Sequence, residues 1–237
     1  PRVSVVIPTY RRPLELKRAI ESVLSQDFSD IEVLVVDDNP PGTSGREATT
    51  RLLESLIGPL VHIRTEGSLG GAGARNVGIE AARGEYVAFL DDDDQWLPGK
   101  LRLQMELMES LPQSVCSVDT GFYEIDEVRG TNKQVKPALR GEIFDELLVK
   151  HKGRAPKLSS MLCRTATLRE IGMFDASLPA RQDLDLYLRL ARNYSFEFIQ
   201  DPLVNKYVHE NDRITANVKS KIRAFSIFYD KYKNDFK

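Results

Sequence analysis

Cysteine is nearly absent: Cys116 and Cys163 are the only two in 237 residues, with 46 residues between them. That spacing excludes the close CxxC pairing of zinc and redox sites. Each lies in an apolar run, SVCSV or SSMLCRT, which predicts buried reduced thiols and, with them, a reducing, cytoplasmic compartment. An excess of one charge is missing too. Thirty-three Lys and Arg stand against 35 Asp and Glu, for a net charge of −2. Such a balance argues against dedicated duplex binding, which needs a basic excess to neutralise phosphates, and no nucleic-acid partner is expected. No apolar run approaches the roughly 18–20 residues needed to span a bilayer. PRVSVVIPTY lacks the charged, apolar and small-residue layout of a secretory signal, and its start at Pro1 fits a chain trimmed from something longer. With no internal repeat and no low-complexity linker, one domain spanning residues 1–237 is expected.

What is present is an alternation. Val3-Ser4-Val5-Val6-Ile7 is a β-branched run stopped by Pro8, the pattern of a strand. A helix follows, with Pro13 in its first turn and Leu16, Ile20, Val23 and Leu24 at helical spacing. Ile31 to Val36 is a second strand, ending on Asp37-Asp38. After the loop Asn39-Pro40-Pro41-Gly42 come a helix over Glu47 to Leu56 and a strand near Leu60 to Arg64. The pattern then predicts a helix from about Ala72 to Arg83 with Gly84 as its C-cap, and a strand over Glu85 to Leu90. This rhythm points to an α/β fold with a mostly parallel sheet and helices on both faces. Past Trp96-Leu97-Pro98 the rhythm changes. A helix at Lys100 to Ser110 precedes shorter strands and loops, a further helix spans Gln182 to Asn193, and a helical tail begins near Ala216.

Ligands of an open parallel sheet bind beyond the carboxyl ends of its strands. Three strands end there in polar chemistry: Pro8-Thr9-Tyr10, Asp37-Asp38 and Asp91-Asp92-Asp93-Asp94. Clustered carboxylates repel one another, and a divalent cation relieves them. Magnesium or manganese takes one or two carboxylates and completes its shell with water and phosphates, so this edge points to a metal–diphosphate site. The alternative is a solvated acidic loop capping the next helix. Gly70-Gly71-Ala72-Gly73-Ala74-Arg75-Asn76 fails as a phosphate loop, because no GK[ST] follows and Asn76 stands where GxGxxG needs glycine. It predicts a glycine-rich entry that lets a helix approach its neighbour closely. Arg75, if it faces the shared edge, offers a fixed guanidinium to a phosphate or base oxygen.

Taken together, VSVVIPTYRR, VVDDNP, GGAGARNVGIEAARGEYVAFLDDDDQWLPGKL and RQDLDLYLRLA resemble the family 2 glycosyltransferases, of the GT-A fold. The resemblance runs from Arg2 to about Arg213. It implies transfer of a hexose or N-acetylhexosamine from a nucleotide diphosphosugar, with inversion and with Mn²⁺ or Mg²⁺. It also implies a Rossmann-like sheet with a nucleotide-sugar-binding half (1–98), a smaller acceptor half (99–215) and a helical tail (216–237). Pro8, Thr9 and Tyr10 match the contacts to the nucleotide. Asp38 matches a carboxylate that accepts a uracil N–H, which favours a UDP-sugar and leaves dTDP open; Asp37 becomes a structural partner of the loop. Asp91 and Asp93 match the DxD pair, the first facing the ribose and the second the metal. Asp92, in the variable place, is counted with the donor contacts, Asp94 is expected to cap the next helix, and Arg75 matches an arginine that reaches the nucleotide. Asp183 matches the general base, with Gln182 where a glutamate is usual. His209 matches a histidine that reaches the metal or diphosphate in relatives.

Three other readings compete, of which a nucleotidyltransferase or pyrophosphorylase on a related sheet lacks here its N-terminal Gly-rich, Arg- and Lys-bearing phosphate loop. VVDDNP also looks like the opening of a phosphoryl-accepting receiver domain, but a strand–helix unit precedes it and the Asp91–Asp94 block would go unexplained. A catalytically silent binding module of the same fold is opposed by the presence of both Asp93 and Asp183. The tail carries Lys219, Lys221, Arg223, Lys231, Lys233 and Lys237 among aromatics. It is read as an aromatic face packed on the core, with peripheral contact to the inner face of a membrane as the alternative. The acceptor, a glycan or a lipid-linked sugar, is not named by any motif.

Overall fold

The structure is a computed structural model that describes residues 1–150, 155–208 and 218–236. The first half repeats a strand–helix unit: β1 (Val3–Thr9), α1 (Pro13–Leu24), β2 (Ile31–Asp37), α2 (Ser44–Ser55), β3 (Leu60–Arg64), α3 (Gly70–Ala81) and β4 (Tyr86–Phe89). The second half contains β5 (Gln95–Trp96), α4 (Lys100–Ser110), β6 (Val115–Asp126), β7 (Thr131–Val135) and α5 (Phe144–Lys150). A 3₁₀ turn at Leu158–Ser160 leads to β8 (Leu162–Arg164), α6 (Thr165–Glu170), α7 (Gln182–Ala191), β9 (Ser195–Tyr207) and α8 (Val218–Tyr232).

One sheet joins both halves in the order β3-β2-β1-β4-β8-β6-β9-β5, with β7 paired to β6. The strands β3, β2, β1 and β4 are parallel. Beyond β4 the sheet is mixed: β8 is antiparallel to both β4 and β6, whereas β9 lies parallel to β6. The expected parallel order therefore describes the first half. A strand buried on both faces carries no sequence mark of its direction, which is why the antiparallel insertion of β8 was not visible.

Alternate residues of the central strands feed two separate cores, as a two-residue repeat requires. Val6, Leu34, Val36, Val87 and Phe89 face α3, α7 and α8. Val3, Val5, Ile7, Val33, Val35 and Ala88 face α1 and α4, meeting Leu16, Ile20, Val23, Leu101, Met105 and Met108. Both cysteines are free and buried, as their apolar runs predict. Among the described residues no helix is long and apolar enough to cross a membrane. In α8, Phe228 and Tyr232 are buried in the core and Tyr229 is half exposed, so the tail's aromatic residues are divided between packing and solvent.

Several boundaries differ from expectation for local reasons. β1 continues through Pro8, which needs no donor there, to Thr9. α2 begins earlier than its apolar pattern, because the Thr43 hydroxyl accepts the Arg46 N–H at 3.4 Å. Gly84 is not a helix cap: α3 ends on Ala82 in an extended conformation. The absence of a side chain at Gly84 serves close packing, since a Cβ there would stand 2.7 Å from the Ser4 backbone nitrogen and 2.9 Å from the Tyr86 carbonyl. The entry glycines do not serve the expected close approach, since a Cβ at Gly70 would meet nothing within 4 Å and at Gly71 and Gly73 only the nearby Arg75 and Leu69 side chains; α3 comes close to its neighbour at Gly78, which presses directly on Val6. Backbone cannot move aside as a flexible side chain can, so Gly84→Ala is expected to destabilise the protein by about 2 kcal/mol. Chemical denaturation would show this as a lowered midpoint with an unchanged slope.

Candidate active site

The parallel strands place their carboxyl ends on one edge, with Thr9 of β1 in register with Asp37 of β2. β4 runs alongside and delivers Asp91–Asp94 to the same edge. Ligand oxygens of Asp91, Asp93 and Asp94 all lie within 4.8 Å of one another. Three cations from distant parts of the chain converge on them. Arg12, ahead of α1, sits 2.6 Å from Asp93 and 3.4 Å from Asp92. Arg75 of α3 pairs with Asp91 at 2.5 Å. Lys206 of β9 reaches Asp94 at 3.2 Å and Asp91 at 4.0 Å.

The carboxylates are not equivalent. Burial, followed by the charge of Asp93, pushes Asp92 up to about 7. Its oxygens accept the Thr9 hydroxyl at 2.8 Å and the Tyr10 N–H at 3.4 Å, tying the end of β1 to the acidic loop. Burial pushes Asp94 up to about 6 against the opposing charge of Lys206. Burial also works to raise Asp91, but the charges of Arg75 and Lys206 outweigh it and hold that carboxyl below its usual range. Asp94 does not cap the following helix, contrary to expectation. It is fully buried and accepts the Ser159 hydroxyl at 2.6 Å and the Tyr207 N–H at 3.2 Å. The position before α4 is filled by Gly99 at φ 84°.

Asp37 and Asp38 divide as their adjacent, oppositely facing positions require. Asp37 is fully buried and meets His62 at 3.1 Å, the Asn39 amide at 2.8 Å and Arg46 at 3.2 Å. Asp38 accepts three donors: the Thr65 hydroxyl at 2.8 Å, Leu69 N–H at 2.8 Å and Gly70 N–H at 2.9 Å. A carboxylate has about four acceptor positions, so one on Oδ2 is left without a donor among the described residues. Pro8 is half-buried and Tyr10, 39% exposed, stands at the open edge with Arg11 against its ring.

Asp183 occupies the first turn of α7, partly exposed, and its Oδ1 accepts the Leu184 N–H at 2.9 Å. Burial works against the charge on Arg75, but Asp91 and then Asp183 outweigh it, so this guanidinium links the acidic loop electrostatically to α7. One turn beyond Asp183, Tyr187 is completely buried and its hydroxyl has no partner among the described residues. Burial, then the charges of Asp183, Asp119 and Asp91, push that phenol well above its ordinary value, so it remains a proton donor. Asp119 of β6 accepts the Ser160 hydroxyl, and burial pushes it up to about 7. Beneath it, buried Lys100 donates to Gln104 at 2.7 Å and lies 4.0 Å over the Trp96 ring; burial lowers it to about 7. His209 lies outside the described residues.

Arg12, Lys206, Ser159, Asp119 and Tyr187 were not singled out from sequence. Arg12 was legible in principle, since it follows a strand whose end was already assigned to the site. Lys206 and Asp119 were not, because nothing local marks one charge within a strand whose partners are fixed only by the sheet.

The sequence profile of Glycosyl transferase family 2 matches residues 4–165. The chain belongs to that family. An uncharacterised glycosyltransferase of Methanocaldococcus jannaschii is 29% identical to it over 243 residues, covering 99% of this chain and 80% of the relative. Among solved structures, Staphylococcus aureus TarS 1–349 in complex with UDP-GlcNAc has a TM-score of 0.72 at 20% identity, covering 92% of this chain and 61% of that one. The mannosyltransferase PcManGT from Pyrobaculum calidifontis, in complex with GDP-Man and Mn²⁺, gives 0.71 at 20% identity, covering 100% and 65%. These likenesses establish the GT-A fold. The chain spans 34% of an uncharacterised glycosyltransferase of Rickettsia felis that is 29% identical to it, so such relatives extend well beyond the shared region.

The raised value of Asp119 makes stability depend on pH. An unfolded aspartate loses its proton near pH 4 or so, whereas the folded one keeps it to about 7. The contribution is complete below the unfolded value and fades as pH rises through the folded one. Asp119→Asn cannot titrate, so the wild-type Tm should fall relative to the variant by roughly 5–10 °C between about pH 5 and 8. Thermal unfolding at pH 5, 6, 7 and 8 measures the difference; a constant offset across the series would refute the assignment.

Proposed function

We propose that this chain transfers a sugar from a nucleoside diphosphosugar to an acceptor hydroxyl in a single displacement that inverts the anomeric carbon. The observation that carries the reading is one edge holding the oxygen cluster of Asp91, Asp93 and Asp94 and, joined to it electrostatically through Arg75, the Asp183 carboxylate. Bound nucleotide sugars in the TarS and PcManGT structures support a donor of that class. A UDP-sugar is favoured because the remaining acceptor position on Asp38 suits a pyrimidine ring N–H; dTDP offers the same donor, and GDP is the contrasting case. The sugar is a hexose or N-acetylhexosamine, and the acceptor a glycan or lipid-linked sugar.

The oxygen-only donor set of the cluster fits a hard divalent cation, Mn²⁺ or Mg²⁺, with Asp93 and Asp91 as the groups that would hold it. When bound, such a cation supplies charge neutralisation to the departing diphosphate. Asp183 takes the proton from the acceptor hydroxyl as its oxygen attacks the anomeric carbon. Arg75 stands between Asp91 and Asp183 and is placed to receive the negative charge of the leaving group. Tyr187 holds a proton beside Asp183. Pro8, Thr9 and Tyr10 line the nucleotide side, with Asp92 holding Thr9 and Tyr10 in place.

Calorimetric titration of UDP, dTDP and GDP, with and without Mn²⁺, tests the donor site. Metal-dependent UDP binding that disappears in Asp93→Ala is expected. Absence of binding by all three to folded protein in the presence of Mn²⁺ would favour the silent module instead. Asp183→Asn should keep UDP affinity within about twofold while turnover falls by roughly 10²–10⁴. Release of UDP from UDP-glucose and UDP-N-acetylglucosamine, with a panel of glycan acceptors, measures that loss.

A further inference from the structure

Successive residues of a helix are turned by about 100°, so positions two apart face nearly opposite sides. In α7 this puts Asp183 and Tyr187 on the side of the acidic cluster and Asp185 on the other. The rear stripe, Arg181, Asp185, Arg189 and Arg192, has helical spacing, and three of its members touch the C-terminal helix directly. Arg181, which precedes α7 in the left-handed conformation at φ 63°, lies 5.6 Å from the ring centres of both Phe225 and Phe228. Asp185 is fully buried and accepts the Tyr232 hydroxyl at 2.8 Å and the Lys231 ammonium at 2.6 Å on Oδ1. Its Oδ2 takes Arg189 at 2.8 Å, and Arg189 continues to the carbonyls of Ile171 at 2.7 Å and Met173 at 2.5 Å. Arg192 pairs with Asp235 at 2.6 Å, just past the end of α8.

We propose that α8 is a clamp that fixes the Asp183 end of α7, making Phe225, Lys231 and Tyr232 positioning residues for the transfer reaction. The inference rests on the reading of Asp183 as the base. Residues on either side of it, Arg181 and Asp185, are each held by α8, so the short first turn has little freedom to rotate or fray. A buried carboxylate bound by three donors is a strong anchor, because releasing any one donor leaves charge without a partner away from water. The Asp183 carboxylate is thereby presented toward Arg75 by contacts made on the opposite face of its own helix.

Phe225→Ala and Tyr232→Phe test this in the full chain. Phe225 is 56% exposed, so its truncation removes the contact to Arg181 without opening the core. Amide hydrogen exchange over Leu184 to Tyr187 should accelerate on the order of tenfold in both variants, while β1 and β2 remain as protected as in wild type. UDP affinity with Mn²⁺ should be unchanged, and kcat for UDP release should fall several-fold at constant donor KM. Unchanged exchange at Leu184 to Tyr187, acceleration spread evenly over β1 and β2, or local acceleration with wild-type kcat would each overturn the clamp. If wild type releases no UDP from any donor, the transfer reading fails, and exchange alone decides whether α8 holds the first turn of α7.

Discussion

Four consecutive carboxylates at the end of a buried strand require matching positive charge, and the upper edge of this molecule is arranged around that requirement. No neighbour in sequence can supply it. Arg12 comes from the turn after β1, Arg75 from α3 and Lys206 from the far end of β9. At an effective dielectric of about 20, two unit charges 4 Å apart interact by about 4 kcal/mol, enough to fix the segments that carry them. Losing one partner would leave a buried charge uncompensated, a larger penalty than an exposed pair could cause. The acidic loop therefore organises the ends of three otherwise independent elements. Burial divides the labour further, with Asp92 and Asp94 driven toward neutrality and Asp91 held ionised.

The two-residue repeat of the central strands explains how such a polar edge is supported. Each strand buries one face under α1 and α4 and the other under α3, α7 and α8, so little but its end is available for chemistry. Helices on the second side then have a double task. Their apolar faces complete the core, and their N-terminal halves reach toward the acidic edge: α3 brings Arg75 in its second turn, and α7 brings Asp183 in its first.

Much of this was legible. β-Branched runs ending in Pro8-Thr9-Tyr10, Asp37-Asp38 and Asp91–Asp94 located the strands, their direction in the first half and the edge where charge gathers. Helices α1, α3, α4 and α7 followed from apolar spacing to within two or three residues. The rest depended on pairings that local pattern does not encode. β8 enters the sheet antiparallel through only three residues, and nothing in Leu162-Cys163-Arg164 states which neighbour it will meet. Asp94 was expected at a helix start because aspartate favours that position; the structure spends it on Ser159 and Lys206, whose approach is set by β9. No reading of the sequence marked Tyr187; it is buried in the core, and only the fold brings its phenol under the charges of Asp183, Asp119 and Asp91.

The two conspicuous acidic motifs, one after β2 and one after β4, are joined through α3. Asp38 holds the N–H groups of Leu69 and Gly70, which begin that helix. Negative charge is favoured at a helix start, so the contact both caps α3 and fixes its position along the edge. A little over one turn later the same helix places Arg75 against Asp91. Gly78, one further turn along, lets α3 lie close enough to Val6 for that reach. Asp38 therefore stands at one end of a rigid connection and Asp91 at the other. The end of β2 and the end of β4 are thus positioned along the edge by one element, whose start Asp38 holds and whose second turn carries the guanidinium.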